Sequence, residues 1–413
     1  MENNKKHLLV AGIAALLMSS SMGLNINTIG VFLQPIAIDL NESIGAVSTH
    51  SMLLMIGVAF GSFMVKPALK RYNIRLIILM SALIMAISTF FLSFATHLWV
   101  FNLLGFIRGL AASFSGMITI QLLINNWFIA KHGFVTSFVL SFSGVAGALF
   151  SPLLASVVNN QGWRLALIVQ AVLFLLLSLP GILITYHLKP EDEGLKPYGA
   201  KTGQTATNGS EAKLFNVSRK PLSVRSTTFI ATLMFSFLIP MITAISQHLA
   251  GIGLDFGFAA NTGALMISAC MIGNILFKLI IGVLSDTLGI IKAVSTMAGI
   301  VILGLTLLLI TDSNSLILIA SFFVGAIYSM ASVAIPLLIN QFYSPLEFMK
   351  VFPLVNFVAS IGGAIAITLY GISYDFSGGY ILSIVASIVV VIAIMVLILV
   401  ANQSSISRKT ETH

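Results

Sequence analysis

The chain consists of twelve long apolar runs, separated by glycine, proline, asparagine or charged residues. Each run is long enough to cross a hydrocarbon core of about 30 Å as a helix, which takes roughly 20 apolar residues. A barrel of membrane strands would need apolar and polar residues to alternate, and these runs do not alternate. The pattern therefore predicts an all-α membrane protein with twelve transmembrane helices, at residues 8–32, 44–65, 76–94, 98–123, 134–158, 165–187, 227–250, 260–284, 290–310, 316–339, 351–372 and 380–401.

The composition agrees with a protein whose solvent is lipid. Hydrophobic residues make up 58% of the 413 positions and charged residues only 8%. So few charged groups cannot coat a water-soluble particle of this size, which excludes a soluble enzyme domain. Cys270 is the single cysteine, so the sequence excludes an intrachain disulfide and a thiolate metal cluster. The net charge of +8 is scattered between the apolar runs, which does not favour nucleic acid as a partner.

Lysine and arginine are distributed unevenly between the two sets of loops. With the N-terminus inside, nearly all of the 21 basic residues fall on inner segments, including the Lys5-Lys6 pair. The outer loops carry Arg164 and several acids instead. Because short loops rich in Lys and Arg stay in the cytoplasm, the pattern predicts cytoplasmic termini for a multi-pass protein of the plasma membrane.

One polar tract, from Lys189 to Arg225, separates two sets of six predicted helices. Its Gly, Thr and Ser content predicts a flexible cytoplasmic linker. The expected division is a bundle at 1–188, a linker at 189–225 and a second bundle with a short cytoplasmic tail at 226–413. Shifting the second half back by about 216 residues aligns weak motifs, which indicates an internal repeat. Secondary transporters use such repeats to rock two halves around a central site.

The loop between the eighth and ninth predicted helices has glycine, aspartate, glycine and lysine at fixed spacing. It resembles the loop signature of the major facilitator superfamily, although Thr287 stands where a base is usual. The resemblance implies close helix packing at the first glycine and an inner-face latch in which Asp286 pairs with a helix end or a base. The first-half loop has lost the glycines and the aspartate. The expected gating residues are Gly282, Asp286, Gly289, Lys292 and, in the first half, Arg71.

Further motifs resemble one branch of that superfamily, the monocarboxylate and oxalate:formate porters. They are Gly30 to Pro35, Asn126-Trp127-Phe128, Gly162-Trp163-Arg164 and Asn274 to Lys278. The resemblance covers nearly the whole chain and implies the facilitator fold, transport activity and a monocarboxylate substrate. Two departures concern charge: Lys278 stands where the family carries an intramembrane Arg. Val355-Asn356 stands where the oxalate:formate branch carries a Lys.

Two ionised side chains lie well inside the apolar runs, Arg108 in the fourth and Lys278 in the eighth. Neither has an acidic partner within a run. A charge near the bilayer centre costs roughly 2.5 to 3.5 kcal/mol on insertion scales, so such residues usually face a cavity. Two unpaired cations predict an anionic substrate. Two alternatives stay open: Arg108 caps backbone carbonyls in a structural role, or Lys278 extends its stem to the inner headgroups.

Uncharged polar residues within the runs are further candidates for the substrate path. Each on its own also fits a simple interhelical hydrogen bond, worth about 0.6 kcal/mol. His50 and His248 are expected near the outer interface. No nucleotide-binding loop, metal-ligand cluster or nucleophile and base pair is present, so we expect no enzyme activity and no cofactor. The path candidates are Asn25, Asn27, Gln121, Gln247, His248, Asn274, Tyr328, Asn356 and Tyr370.

Together these features predict a monomeric transporter of a small organic anion that works by alternating access, coupled to a proton or to a counter-anion. A multidrug or metabolite efflux transporter is the first alternative, and it predicts an intramembrane carboxylate, which the runs lack. A permease-like sensor that binds without transporting is the second alternative. It predicts a folded cytoplasmic output domain, and the sequence shows none.

Overall fold

The structure, a computed structural model, describes residues 2–200, 226–343 and 345–410. Over these residues the chain is all-helical without a strand, and one isolated bridge pairs Phe128 with Tyr198. Within the same residues, twelve helical segments are long and apolar enough to span a membrane. The predicted fold class, an all-α protein with twelve membrane helices, is confirmed.

The chain divides into two compact units with the boundary between residues 209 and 210. The first unit contains spans 1 to 6, formed by α1 with a π-helical turn, α3, α4, α5 with α6, α7 and α8. Helix α2 follows span 1 as a shorter apolar helix. The helices of this unit are α1 Glu2–Met18, α2 Gly30–Leu40, α3 Ile44–Arg71, α4 Ile74–Leu92, α5 Leu98–Ser115, α6 Met117–Trp127, α7 His132–Gln161 and α8 Trp163–Leu183, with a π-helix at Ser19–Leu24 and a 3-10 helix at Pro190–Glu193.

The second unit contains spans 7 to 12, formed by α9 with α10, α11, α12, α13 to α15, α16 and α17. Its helices are α9 Thr227–Thr243, α10 Ile245–Asp255, α11 Ala260–Leu288, α12 Ile290–Ile310, α13 Asn314–Val324, α14 Ile327–Ser329, α15 Ile335–Phe342, α16 Pro345–Ser377 and α17 Ile381–Thr410, with a π-helix at Met330–Ala334. Several helices extend beyond the apolar runs, because their last turns carry polar residues that a hydropathy pattern does not count.

The junctions between spans 2 and 3 and between spans 8 and 9 correspond in the two halves but end their helices differently. In the first unit, Asn73 precedes α4 and its side-chain oxygen accepts a hydrogen bond from the backbone N–H of Arg75 at 2.9 Å. In the second unit, Gly289 takes a φ of 82° between α11 and α12, a conformation that glycine adopts without strain. The two junctions thus differ: a side-chain cap precedes the helix in the first unit, and a glycine with positive φ separates the helices in the second.

Glycines bring α3 and α5 into close contact in the first unit. A Cβ atom on Gly109 would overlap the carbonyl group of Leu54, and one on Gly57 would overlap the carbonyl oxygen of Phe106. In the second unit, a Cβ on Gly273 would likewise overlap the carbonyl oxygen of Phe322. Such close approach of small residues is a common way for membrane helices to pack, because lipid supplies no hydrophobic force between them.

Spans 4, 7 and 10 are interrupted, and a break separates span 1 from α2. Span 1 leaves the helix at residues 25–29, and span 4 is extended at Gly116. Span 7 turns at Ala244, one turn after Pro240, and span 10 turns at residues 325–326. Non-helical backbone at membrane depth is tolerated only where protein buries it or where it lines a cavity. The interruptions are therefore the places where each unit offers backbone polar groups to a partner outside the helix.

The segment after span 6, residues 184–200, packs on the first unit, and we call it the clasp. The Trp127 ring nitrogen donates to the carbonyl of His187 at 3.1 Å, and Trp127 is fully buried. The backbone N–H of Tyr198 donates to the carbonyl of Trp127 at 2.8 Å. The predicted linker, 189–225, is thus ordered in its first part, 189–200, because Tyr198 in this part bonds to the backbone at the end of α6. Residues 201–225 lie outside the described residues.

Candidate functional site

The break after span 1 is held in place by a side chain of span 6 and by a backbone carbonyl of span 5. Gln170 donates from Nε2 to the carbonyl of Leu24 at 2.9 Å, and Asn27 donates from Nδ2 to the carbonyl of Ser143 at 2.9 Å. Asn25 lies at the same break, and it is fully buried with neither amide atom hydrogen-bonded to a described residue. Leaving buried polar atoms unpaired is costly, about 1 to 3 kcal/mol per group. Asn25 is therefore the residue of this break whose amide donor and acceptor, with no partner in the described ranges, are both free to bind a further group.

Arg108 lies inside the first unit, with only 2% of its surface exposed. Its Nη2 donates to Nε2 of His50 at 3.2 Å, and its Nη1 lies 3.5 Å from Oγ1 of Thr89. Its Nε has no hydrogen-bond partner among the described residues. No carboxylate pairs with this guanidinium in the described part of the chain, so its positive charge is met only by neutral groups.

His50 is buried in the first unit and contacts α5; the expectation that it lies near the outer interface stays a prediction. Its Nδ1 is 2.6 Å from the carbonyl oxygen of Phe101, and 7% of its surface is exposed. Gly105 makes room for the ring, since a Cβ there would lie 2.6 Å from the same nitrogen. The hydropathy pattern could not find this contact, because it joins two helices far apart in sequence. A histidine facing a glycine-rich helix was the available signal.

Lys278 lies on α11, ten residues before the helix ends at Leu288. The side chain is partly buried and has no ion pair or hydrogen bond with any other residue that the structure describes. One turn earlier, Asn274 is 1% exposed, and its Oδ1 has no partner there either. Its Nδ2 reaches only the sulfur of Met271, at 3.8 Å. An ammonium group and an unpaired amide oxygen thus lie on successive turns of one helix.

Asn274 lies close to the interruption of span 10. A Cβ on Gly325 would lie 2.7 Å from the backbone nitrogen of Asn274 and would overlap the carbonyl oxygen of Cys270. Three residues after Gly325, the hydroxyl of Tyr328 lies 2.5 Å from Oγ of Ser246 in span 7. Spans 7, 8 and 10 of the second unit therefore meet at polar groups that include two predicted path residues.

Tyr370 belongs to a second polar cluster, around His248. The Tyr370 hydroxyl lies 2.6 Å from Oγ of Ser387, and its ring centre is 5.7 Å from that of His248. His248 donates from Nε2 to the carbonyl of Ile367 at 2.9 Å, and its Nδ1 lies 3.2 Å from the hydroxyl of Tyr380. Only 1% of His248 is exposed, so it is buried in the second unit, and the expectation that it lies near the outer interface stays a prediction.

The remaining path candidates lie apart from these clusters. Gln121 is partly buried on α6, and Asn356 is exposed on α16. Neither side chain forms a hydrogen bond with another described residue. Gln247 is buried on α10, and its Oε1 has no partner in the described ranges. The role predicted for these three residues is open to test.

The loop motif after α11 is only partly explained by the structure. Gly289 needs its left-handed conformation, but a Cβ on Gly282 would meet nothing within 4 Å. Close packing is therefore not the reason for a glycine at 282. The side chains of Asp286 and Lys292 are exposed and have no ion pair within the described ranges. Arg71 is exposed in the first-half loop, with its guanidinium carbon 5.6 Å from the ring centre of Tyr72.

Solved structures of transporters share this fold. A bacterial homologue of the human lysosomal transporter Spinster aligns with 96% of this chain and 97% of its own, at a TM-score of 0.68 and 14% identity. The nucleoside transporter NupG aligns with 94% of this chain and 98% of its own, at a TM-score of 0.69 and 15% identity. At this level of identity the likeness concerns the fold alone.

Sequence comparison gives the same assignment. Monocarboxylate transporter 13 of Rattus norvegicus is 24% identical over 374 residues, which cover 88% of this chain and 81% of that protein. The family model of the Major Facilitator Superfamily matches residues 15–250 and again 224–413. Fold, spans and family match agree on membrane transport by an integral multi-pass protein. The chain belongs to the major facilitator superfamily.

Proposed function

We propose that this protein is a secondary active transporter of a small organic anion, with a monocarboxylate as the favoured substrate class. The observation that carries the proposal is Lys278, a cation inside span 8 with no counter-charge among the described residues. One turn away, the amide nitrogen of Asn274 reaches only the sulfur of Met271 within the described part of the chain. A bound carboxylate would supply the missing charge and would accept hydrogen bonds from the Lys278 ammonium and from Nδ2 of Asn274.

The electrostatics favour an anion over a cation. A carboxylate about 4 Å from the Lys278 ammonium would gain roughly 4 kcal/mol at an effective dielectric of ~20, before desolvation is subtracted. The carboxylates of the described spans lie near their ends, as Asp255, Asp286 and Asp375 do. A transporter of cationic drugs would need an acidic side chain deeper in the membrane to bind the positive charge. The absence of one from these spans supports the organic-anion proposal over cation efflux.

The similarity to monocarboxylate transporter 13 supports the same substrate class. The other predicted path residues would complete the site: Arg108, Asn25 and Gln121 from the first unit, Tyr328, Asn356 and Tyr370 from the second.

The proposed mechanism is alternating access, by relative motion of residues 1–188 and 226–413, which the linker 189–225 joins. Both termini would face the cytoplasm, and the protein would act as a monomer in the plasma membrane, with a proton or a counter-anion as coupling ion.

Uptake into proteoliposomes tests the proposal. Purified protein is reconstituted, and uptake of radiolabelled pyruvate, lactate, formate, oxalate and larger acids is measured with and without a pH gradient. At least one acid should accumulate above protein-free vesicles and should be displaced by the unlabelled acid. Binding of an acid without accumulation would favour the sensor alternative. Accumulation of lipophilic cations, with no flux of any acid, would favour efflux and overturn the proposal.

A further inference from the structure

The contact between His50 and Arg108 fixes the proton of the imidazole. A carbonyl oxygen only accepts hydrogen bonds, so Nδ1 of His50 must donate to the carbonyl of Phe101, 2.6 Å away. Arg108 only donates, so Nε2 of His50, 3.2 Å from Nη2, must offer its lone pair. The observed pair therefore requires the neutral imidazole with its hydrogen on Nδ1.

Protonation of His50 is incompatible with this contact. A proton on Nε2 would turn the acceptor into a donor that faces another donor, and it would place two positive charges in a buried site. The surroundings offer no compensation, because Thr89 is neutral and the Phe101 carbonyl is already used. His50 thus takes up a proton only if Arg108 finds another acceptor.

No other charged group of the described helices around α3 is placed to accept the hydrogen bond from Arg108 in place of His50. The remaining charged and titratable residues of the helices that pack against α3, and of α3 itself, lie at helix ends or in the adjoining loop. At the outer end, Asp39 pairs with Arg164, and Glu42 is exposed in the loop. The others are His97 at the start of α5, Arg75 at the start of α4, and Lys66, Lys70 and Arg71 in the last turns of α3.

We propose that His50 is the proton-binding residue of the transport cycle and that an anion at Arg108 enables it to take up the proton. The anion would replace Nε2 of His50 as the acceptor of Arg108, and the unpartnered Nε of Arg108 would add a second donor to it. The freed lone pair of Nε2 then takes a proton from water, and the negative charge of the anion offsets the added positive charge. This inference rests on the proposed organic-anion function and names its coupling ion.

Such a device couples the two ligands in both directions. If the anion raises the proton affinity of His50, the proton must raise the affinity for the anion by the same factor. Acid on the side of uptake would therefore promote binding of the anion. A proton and an anion would move together, although no buried carboxylate lies in the interior of the described spans to carry the proton.

The first test needs no substrate. The melting temperature of the purified protein in detergent is measured at pH 8 and pH 5 for wild type, His50→Gln and His97→Gln. A glutamine at 50 keeps an acceptor for Arg108 and a donor for Phe101 but cannot take up a proton. The fall on acidification should be smaller in His50→Gln, by about 2 to 4 °C for each roughly fivefold change in the folding equilibrium of a ~200-residue unit. His97 is exposed, so its variant should fall as wild type does. Equal falls in all three proteins would overturn the proposal.

The second test measures the proton directly. Pyruvate, lactate, formate and oxalate are each mixed with the purified protein in weakly buffered solution containing a pH dye. Wild type should take up protons with at least one acid that it transports, and His50→Gln should take up none with the same acid. Transport of an acid without proton uptake, or equal uptake in the variant, would overturn the role of His50 and leave the organic-anion function standing. No flux of any acid would instead refute the proposed function. The first test would then still show whether the contact with Arg108 keeps His50 neutral.

Discussion

The ammonium of Lys6 and the carboxylate of Glu193 form an ion pair of 3.0 Å that joins the start of α1 to the clasp. Lys6 also donates to the carbonyl of Thr185, and Glu193 accepts from the backbone N–H of His187 at 2.8 Å. Burial opposes ionisation of Glu193, but the hydrogen bonds from Lys6 and His187 and the charge of Lys6 outweigh it and lower its pKa. The segment between the halves is thus anchored to the first unit by charge.

Removal of this charge should loosen the clasp. Because folding lowers the pKa of Glu193, the stabilisation is present above its ordinary value of 4.5 and is lost as the pH falls through the lowered value. Glu193→Gln should lower the melting temperature at pH 7 by about 2 to 4 °C for each kcal/mol lost, and it should flatten the change toward pH 4. Glu191→Gln is the control, since Glu191 is exposed. Identical melting curves for the two variants would show that the ion pair adds nothing.

A methyl group at Gly109 should separate α3 from α5. The added Cβ would overlap the Leu54 carbonyl, which belongs to the backbone and cannot move aside as a side chain could. We expect Gly109→Ala to destabilise the first unit by roughly 1 to 3 kcal/mol, as overpacking usually does. Thermal unfolding of the purified protein measures the effect. Gly299→Ala on α12 meets nothing within 4 Å and should unfold as wild type does; a matching result for Gly109→Ala would contradict the close contact.

The exposed carboxylate of Asp286 should matter for transport and not for folding. It has no ion pair within the described residues, so Asp286→Asn should leave the melting temperature unchanged. If the carboxylate latches the inward-closed state, the same variant should transport several-fold more slowly in the flux assay. Lys70→Asn, in the degraded first-half loop, should transport nearly as well as wild type. Equal rates for both variants would remove the support for a latch at Asp286.

Orientation can be tested by labelling single cysteines. In a Cys270→Ser background, cysteines are placed at Glu42, in the loop between α2 and α3, and at Glu191, on the clasp; both positions are exposed. A membrane-impermeant thiol reagent applied to intact cells should label position 42 and spare 191, because the basic segments are expected inside. Labelling of 191 in sealed cells would reverse the predicted topology.

The sequence predicts the helices well because each span is a continuous apolar run, and hydropathy is a local property. The same continuity hides the interruptions: nothing in the run from Leu8 to Phe32 predicts that the helix breaks at residues 25–29. That break depends on Gln170 and Asn27, which supply hydrogen bonds across helices. A hydropathy pattern contains no information on such partners.

The candidate site could be predicted only as a set of residue types. Two intramembrane cations were visible in the sequence, and Lys278 indeed lacks an ion pair within the described residues. The partner of Arg108 was not visible, because His50 comes 58 positions earlier and its approach depends on Gly105. The clasp was missed for a related reason. Its polar composition is typical of a linker, but its backbone groups bond to helix ends that the sequence alone does not bring near.

Organic-anion uptake by variants of Lys278 tests the central claim most directly. With an acid that wild type transports in proteoliposomes, Lys278→Gln should lower the rate at subsaturating concentration by at least about tenfold, since 1.4 kcal/mol of lost binding already gives that factor. Lys278→Arg keeps the charge and should retain part of the activity. Normal uptake by Lys278→Gln at every pH from 5 to 8 would contradict the claim that this lysine binds the anion.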